Sequence, residues 1–123
     1  MTEFPNQTLA RMGESLAETS LVNKKYRILA RNYRCPVGEM DIIAQKGDKT
    51  IVFVEVKTRS SQDFGDPEEA VHAFKKRKLF QVAQYYLKQT RLEGWDVQID
   101  VIAVLVLPGE APKVTHFENA LEF

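Results

Sequence analysis

The order of patterns along this chain predicts an α/β fold: a helix, three strands, a second helix and a further strand around a mixed central sheet. Three observations carry that expectation. Gly38 to Lys57 alternates as two adjacent strands joined by a short polar turn. Asp66-Pro67-Glu68-Glu69 has the residues of a helix start. Val97 to Leu107 is the most apolar run and reads as a buried central strand.

The elements follow in order. Pro5 and the lack of periodicity before it suggest a loose terminus over residues 1–7 of a single domain spanning 1–123. Leu9, Met12, Leu16 and Ser20 fall at helical spacing and place a first helix near residues 8–23, with Glu14 and Glu18 on its flank. Tyr26 to Arg34 is aromatic and β-branched enough for a strand, and Cys35-Pro36-Val37-Gly38 is a turn. Beyond the strand pair comes a polar loop, then the helix from Asp66 to about Arg91. Leu79, Val82, Ala83, Tyr86 and Leu87 form its apolar stripe; Arg77, Lys78, Gln81, Tyr85 and Lys88 form its outer face. Gly94 ends that region, and Val114 to Glu118 adds a short edge strand.

Composition narrows the function classes. Apolar residues are 44% and charged residues 28% of the 123, ordinary for a soluble globular domain. No apolar run nears the roughly 20 residues of a membrane span, and no leader pattern is visible, so a cytoplasmic protein without a membrane partner is expected. Cys35 is the lone cysteine, which leaves no disulfide framework and no zinc cluster. The formal net charge is zero, yet Lys24 to Arg91 holds 15 of the 17 basic and 8 of the 17 acidic residues, a surplus of seven positive charges. A basic middle can present a positive surface to nucleic acid, although solvated charge with no partner is the competing reading.

The strand pair carries the chemistry. Glu39 and Asp41 lie on the first strand, Glu55 and Lys57 on the second, each pair two residues apart and so on one face. If the connecting loop is Gly47-Asp48-Lys49, Ile43 faces Phe53, Asp41 faces Glu55 and Glu39 faces Lys57. A two-residue loop would send the carboxylates to opposite faces. The odd loop also aligns the apolar rows and is the expected one. Two facing carboxylates repel, and a divalent cation between them removes the conflict. The plainer alternative is a salt-bridged strand end.

Asp41, followed 14 residues later by Glu55-Val56-Lys57, resembles the PD-(D/E)xK nuclease superfamily. Three further runs resemble the YraN-like family of uncharacterised bacterial proteins: Gly38-Glu39-Met40-Asp41-Ile42-Ile43-Ala44, Phe53-Val54-Glu55-Val56-Lys57-Thr58-Arg59 and Phe64-Gly65-Asp66-Pro67. Gly13-Glu14, Arg31-Asn32-Tyr33-Arg34 and Ile99-Asp100-Val101 extend that likeness from about Ala10 to Ala120. The resemblance implies a restriction-endonuclease-like core. It implies that Asp41 and Glu55 hold Mg²⁺ (or Mn²⁺), helped by the Val56 carbonyl, and that Lys57 orients or deprotonates the attacking water. Glu14 matches a first-helix glutamate that reaches the metal through water; Gln81 and Tyr85 resemble the helical Gln-and-Tyr motif of RecB-like nucleases. The sequence departs from the superfamily name in having no Pro-Asp before the site, and Glu39 is an extra acid that either pairs with Lys57 or joins the metal.

The expected function is an Mg²⁺-dependent endonuclease acting on DNA, branched or otherwise structured. The alternative is a non-catalytic nucleic-acid-binding protein that keeps the fold. Arg59, Arg77, Lys78, Gln81 and Tyr85 are the nucleic-acid-binding candidates, with solvation as the competing reading for the charged ones. Branched-DNA nucleases of this fold point by analogy to a homodimer. Asp100 is expected to bond backbone, and His72 and His116 have no ligand partner at useful spacing.

Overall fold

The computed structural model describes residues 6–60 and 73–121. Five strands form one sheet in chain order: β1 (Arg27–Cys35), β2 (Gly38–Lys46), β3 (Thr50–Arg59), β4 (Asp96–Leu105) and β5 (Lys113–Leu121). All neighbours are antiparallel except β3 and β4, which run parallel, so the sheet is mixed. Parallel neighbours need a crossover, and α2 (Ala73–Thr90) lies in it; α1 (Asn6–Asn23) precedes β1. The order helix, three strands, helix, strand is therefore the observed one. The expected helix start at Asp66-Pro67 lies outside the described residues, as does His72.

β3 is the spine. Ile51 to Glu55 are all buried, and the alternation of a strand divides them between two cores. Val52 and Val54, with Ile42 and Ala44, pack beneath Leu9, Ala17 and Leu21 of α1. Ile51 and Phe53, with Ile43, pack against Leu79, Val82, Ala83 and Tyr86 of α2. The α2 stripe is the one its spacing predicts. Tyr86 is held edge-on by Tyr33 (5.2 Å) and Phe53 (5.8 Å), and the Tyr33 hydroxyl donates to Gln89 Oε1 at 2.7 Å.

Two expectations shift. The buried row of α1 is Leu9, Gly13, Ala17 and Leu21, with Met12 and Leu16 only partly buried beside it. A search for large apolar residues centres the stripe wrongly, because half of the buried row is Gly13 and Ala17, and at Gly13 the helix lies directly against Thr58. The last strand is nine residues long rather than five, since β5 bulges opposite β4 and resumes pairing at Ile99–Leu121.

Candidate functional site

The β2–β3 hairpin has the three-residue loop Gly47-Asp48-Lys49, with Lys46 opposite Thr50 and Ile43 opposite Phe53. Gly47 has φ of 67°, a conformation glycine adopts without strain. That register sets Asp41 and Glu55 on one face. The ladder itself stops one step earlier, at Ile42–Val54. Beyond it β2 stays with β1, through Arg34–Glu39 and Cys35–Gly38. At the opening the Val56 N–H donates to Asp41 Oδ2 at 2.7 Å, so a side chain replaces the next ladder bond.

The separation of β2 from β3 leaves a cleft of about 340 Å³ lined by Gly38, Glu39, Asp41, Glu55 and three residues of α2, Lys78, Leu79 and Val82. Glu55 is 7% exposed, and Lys57, two residues on, places its Nζ 3.3 Å from Glu55 Oε1. Gly38 allows the helix to close over this cleft. Its φ is 150°, and a Cβ there would come within 2.9 Å of Val82 Cγ2. The Lys78 ammonium reaches the Val37 carbonyl at 3.5 Å, at the rim.

Glu14 approaches from the other side. It borders a hollow of about 160 Å³ with Asn32, Arg34, Glu39, Met40 and Asp41, and a second one with Val56, Lys57 and Thr58. Arg31 holds it loosely: one guanidinium nitrogen lies 4.0 Å from Glu14 and the other 3.5 Å from Glu18. In the sequence Arg31 carries no signal beyond its place in the Arg-Asn-Tyr-Arg run. Glu39 forms its ion pair with Arg34 at 3.0 Å, across the β1–β2 ladder, which corrects the Lys57 pairing. The register extension fails there because β2 has already left β3.

Glu39, Asp41, Glu55 and Lys78 thus share one cleft, Lys57 joins it through its ion pair with Glu55, and Glu14 borders two neighbouring hollows beside Asp41 and Lys57. Arg77, Gln81 and Tyr85 do not line it; they stand exposed on the outer face of α2. Arg59, the last residue of β3, is half-buried with its Nε withdrawn from solvent. Among the described residues no three His, Cys, Asp or Glu side chains converge as a ready metal shell. The donor set still suits Mg²⁺, a hard cation that keeps several waters and needs one or two carboxylates from the protein.

A second polar cluster lies on the α1 face. Asp100 is fully buried and accepts from Gln98 Nε2 (3.0 Å), the Asn119 N–H (2.8 Å) and His116 Nε2 (2.7 Å). The Lys24 ammonium donates to His116 Nδ1 at 2.9 Å. An ammonium only donates, so the ring proton sits on Nε2. Asp100 bonds backbone, as expected. His116 is structural, and its bond to Asp100 is one that sequence spacing hides, because β5 brings it alongside β4. Beside them the Tyr26 hydroxyl donates to Glu118 Oε1 (2.8 Å) and Lys46 pairs with the same oxygen (3.0 Å). These bonds, the Tyr26 one first, hold the Glu118 carboxyl down at about 2; burial, then the same bond, pushes the Tyr26 phenol well above its ordinary value.

No helix among the described residues is long and apolar enough to cross a membrane. The model of an uncharacterised protein family, UPF0102, matches residues 13–104. A UPF0102 protein of Geobacter metallireducens is 45% identical over 117 residues, 95% of this chain and 94% of the relative. One from Alkaliphilus oremlandii is 48% identical over 94% of this chain and 98% of its own. Among solved structures, the EndoMS-dsDNA2 complex aligns at 18% identity with a TM-score of 0.43, over 76% of this chain and 36% of that one, so the chain spans about a third of that neighbour. On the strength of the family match and of relatives aligned along almost their whole length, the chain belongs to the UPF0102 family.

Proposed function

We propose that this protein is a divalent-cation-dependent DNA endonuclease whose reacting centre is the cleft between β2 and β3. One observation carries the reading: Asp41, Glu55 and Lys57 meet at the one place where the β2–β3 ladder opens, beneath a helix with basic residues on its outer face. A strand end stabilised only by charge pairs has no use for two carboxylates beside one cleft, because like charges there oppose folding.

Asp41 and Glu55 would hold Mg²⁺ or Mn²⁺, with the Val56 carbonyl and Glu14 as further donors. Bound there, the ion supplies Lewis-acid stabilisation of a phosphodiester and an acidified water. The protein's own groups do the rest. The Val56 N–H fixes the Asp41 carboxylate through Oδ2. Lys57, beside Glu55, offers ammonium protons to a phosphate oxygen or an incoming water. Lys78 at the rim and Arg77 beyond it draw the backbone of the nucleic acid toward the cleft, and the exposed Tyr85 ring suits an unpaired base. Structured or branched DNA, which offers unpaired bases to such a ring, is the substrate class proposed.

The test is Mg²⁺- or Mn²⁺-dependent cleavage of a panel of single-stranded, duplex, flap and four-way DNA substrates. Asp41→Ala, Glu55→Gln and Lys57→Met should each lower cleavage by more than about a hundredfold while the fold is kept. If nothing in the panel is cut while wild type and Asp41→Ala bind DNA equally well, the nuclease reading fails. The Lys57–Glu55 ion pair, which already neutralises one carboxylate, favours the second reading, a nucleic-acid-binding protein that cleaves nothing. That same outcome would establish it.

A further inference from the structure

Glycine is among the poorest helix formers, yet Gly13 sits in the middle of α1. Its φ is not positive, so the position does not demand glycine for its backbone conformation. It demands the absence of a side chain. A Cβ built on Gly13 would lie 2.8 Å from both Cβ and Cγ2 of Thr58 and would overlap its Oγ1. The backbone of α1 therefore rests directly on the end of β3. On either side of this contact are the groups that matter: Glu14 follows Gly13, and Lys57 precedes Thr58. Glu14 is only 15% exposed and borders both hollows beside Asp41 and Lys57.

We propose that the Gly13–Thr58 contact places Glu14 at the cation site, making Gly13 and Thr58 positioning residues that touch no reacting atom. The proposal rests on the reading of Asp41 and Glu55 as carboxylates that bind a divalent ion. Ordinary van der Waals contact begins at 3.4 Å, so a Cβ at position 13 would drive the helix away by about 1 Å, a displacement large enough to matter at a reacting centre. Ligand distances at a metal tolerate only about 0.2 Å, and a contact through water little more. Arg31, a loose ion partner of Glu14 and Glu18 on the outside, cannot restore that distance, because it is anchored on β1.

Mn²⁺ affinity of the full chain, titrated by electron paramagnetic resonance without DNA, reads the placement directly. Gly13→Ala should weaken binding about tenfold, as much as Glu14→Gln does, and should add nothing to Glu14→Gln. Thr58→Gly in the Gly13→Ala background moves the Cβ from strand to helix and should recover the affinity. Thr58→Leu crowds the contact from the half-buried strand side and should reproduce the loss without a change in the helix. If Gly13→Ala and Thr58→Leu lower the melting temperature but leave affinity within about twofold of wild type, the contact is packing and the proposal falls. Asp41→Asn in the same titration separates the two levels. Loss with Asp41→Asn but none with Glu14→Gln overturns the placement and leaves the Asp41–Glu55 site standing. No change with either overturns both.

Discussion

Asp41 and Asp100 both stand where a ladder between neighbouring strands is interrupted, and both accept a backbone N–H there, from Val56 and Asn119 respectively. Their surroundings differ in one respect. Asp100 is wholly buried, and the amide of Gln98, the ring of His116 and the Asn119 N–H all point at it, with Lys24 behind the ring. Asp41 lines a cleft that contains a second carboxylate, Glu55, and is rimmed by Lys78. A buried charge met by several fixed donors is architecture. A carboxylate set beside another next to open space is the arrangement on which the proposed cation site rests. The same sheet supports both, on opposite faces.

Stability measurements give the widest separation between the two. Asp100→Ala should cost about 3–5 kcal/mol in urea unfolding, because it strands three donors, the His116 ring among them, inside the α1-side core. Asp100→Asn should recover only part of this. Its amide would face the Nε2 proton, and the ring cannot give that proton up to Nδ1 while Lys24 donates there. Asp41→Ala gives up the Val56 bond at the edge of an open cleft and eases repulsion with Glu55, so its effect should be the smaller, about 1 kcal/mol. Equal losses at the two positions would erase the distinction.

Nucleic-acid binding sharpens the comparison at smaller magnitude. Arg77 and Lys78 belong to the helix over the Asp41 cleft, whereas Lys46 belongs to the Asp100 face, paired with Glu118. Arg77→Gln and Lys78→Gln should each weaken DNA binding several-fold and reduce the slope of log affinity against log salt by about one. Lys46→Gln should leave that slope unchanged. A slope that responds to Lys46 instead would move the DNA to the opposite face.

Much of this arrangement is legible in the sequence, for reasons that can be named. The hairpin register is readable because two apolar rows and one loop length must agree, so Ile43–Phe53 fixes everything up to Ile42–Val54. The pairing of Glu39 with Arg34 is not readable, because nothing local announces that β2 abandons β3 and stays with β1. The α2 stripe is carried by large side chains and is found at once. The α1 contact row is missed because Gly13 and Ala17 carry little hydrophobic signal, and closeness rather than bulk is their contribution. The Asp100–His116 bond lies at the edge of a bulge in an antiparallel pair, where Asn119 adopts a φ of 50° and its N–H turns to Asp100. A left-handed residue in a strand has only a weak sequence signature.

The smallest expected effect concerns the rim of the Asp100 cluster. Glu118 ionises at about 2 in the folded chain, against an ordinary 4.5, because the Tyr26 hydroxyl and then Lys46 bond its carboxylate. A lowered acid stabilises the folded state fully above its unfolded value and loses that contribution as pH falls. The window is therefore from about 4.5 down to about 2. The side chain is 47% exposed, so solvent and salt screen the pair, and the gain should stay below about 1 kcal/mol. Acid unfolding of Glu118→Gln should show a shallower decline across that window than wild type, and 1 M salt should narrow the difference. A decline as steep as wild type's would mean that the Tyr26 and Lys46 bonds to Glu118 contribute nothing to acid stability, and the link between this rim and the pH limb would be lost.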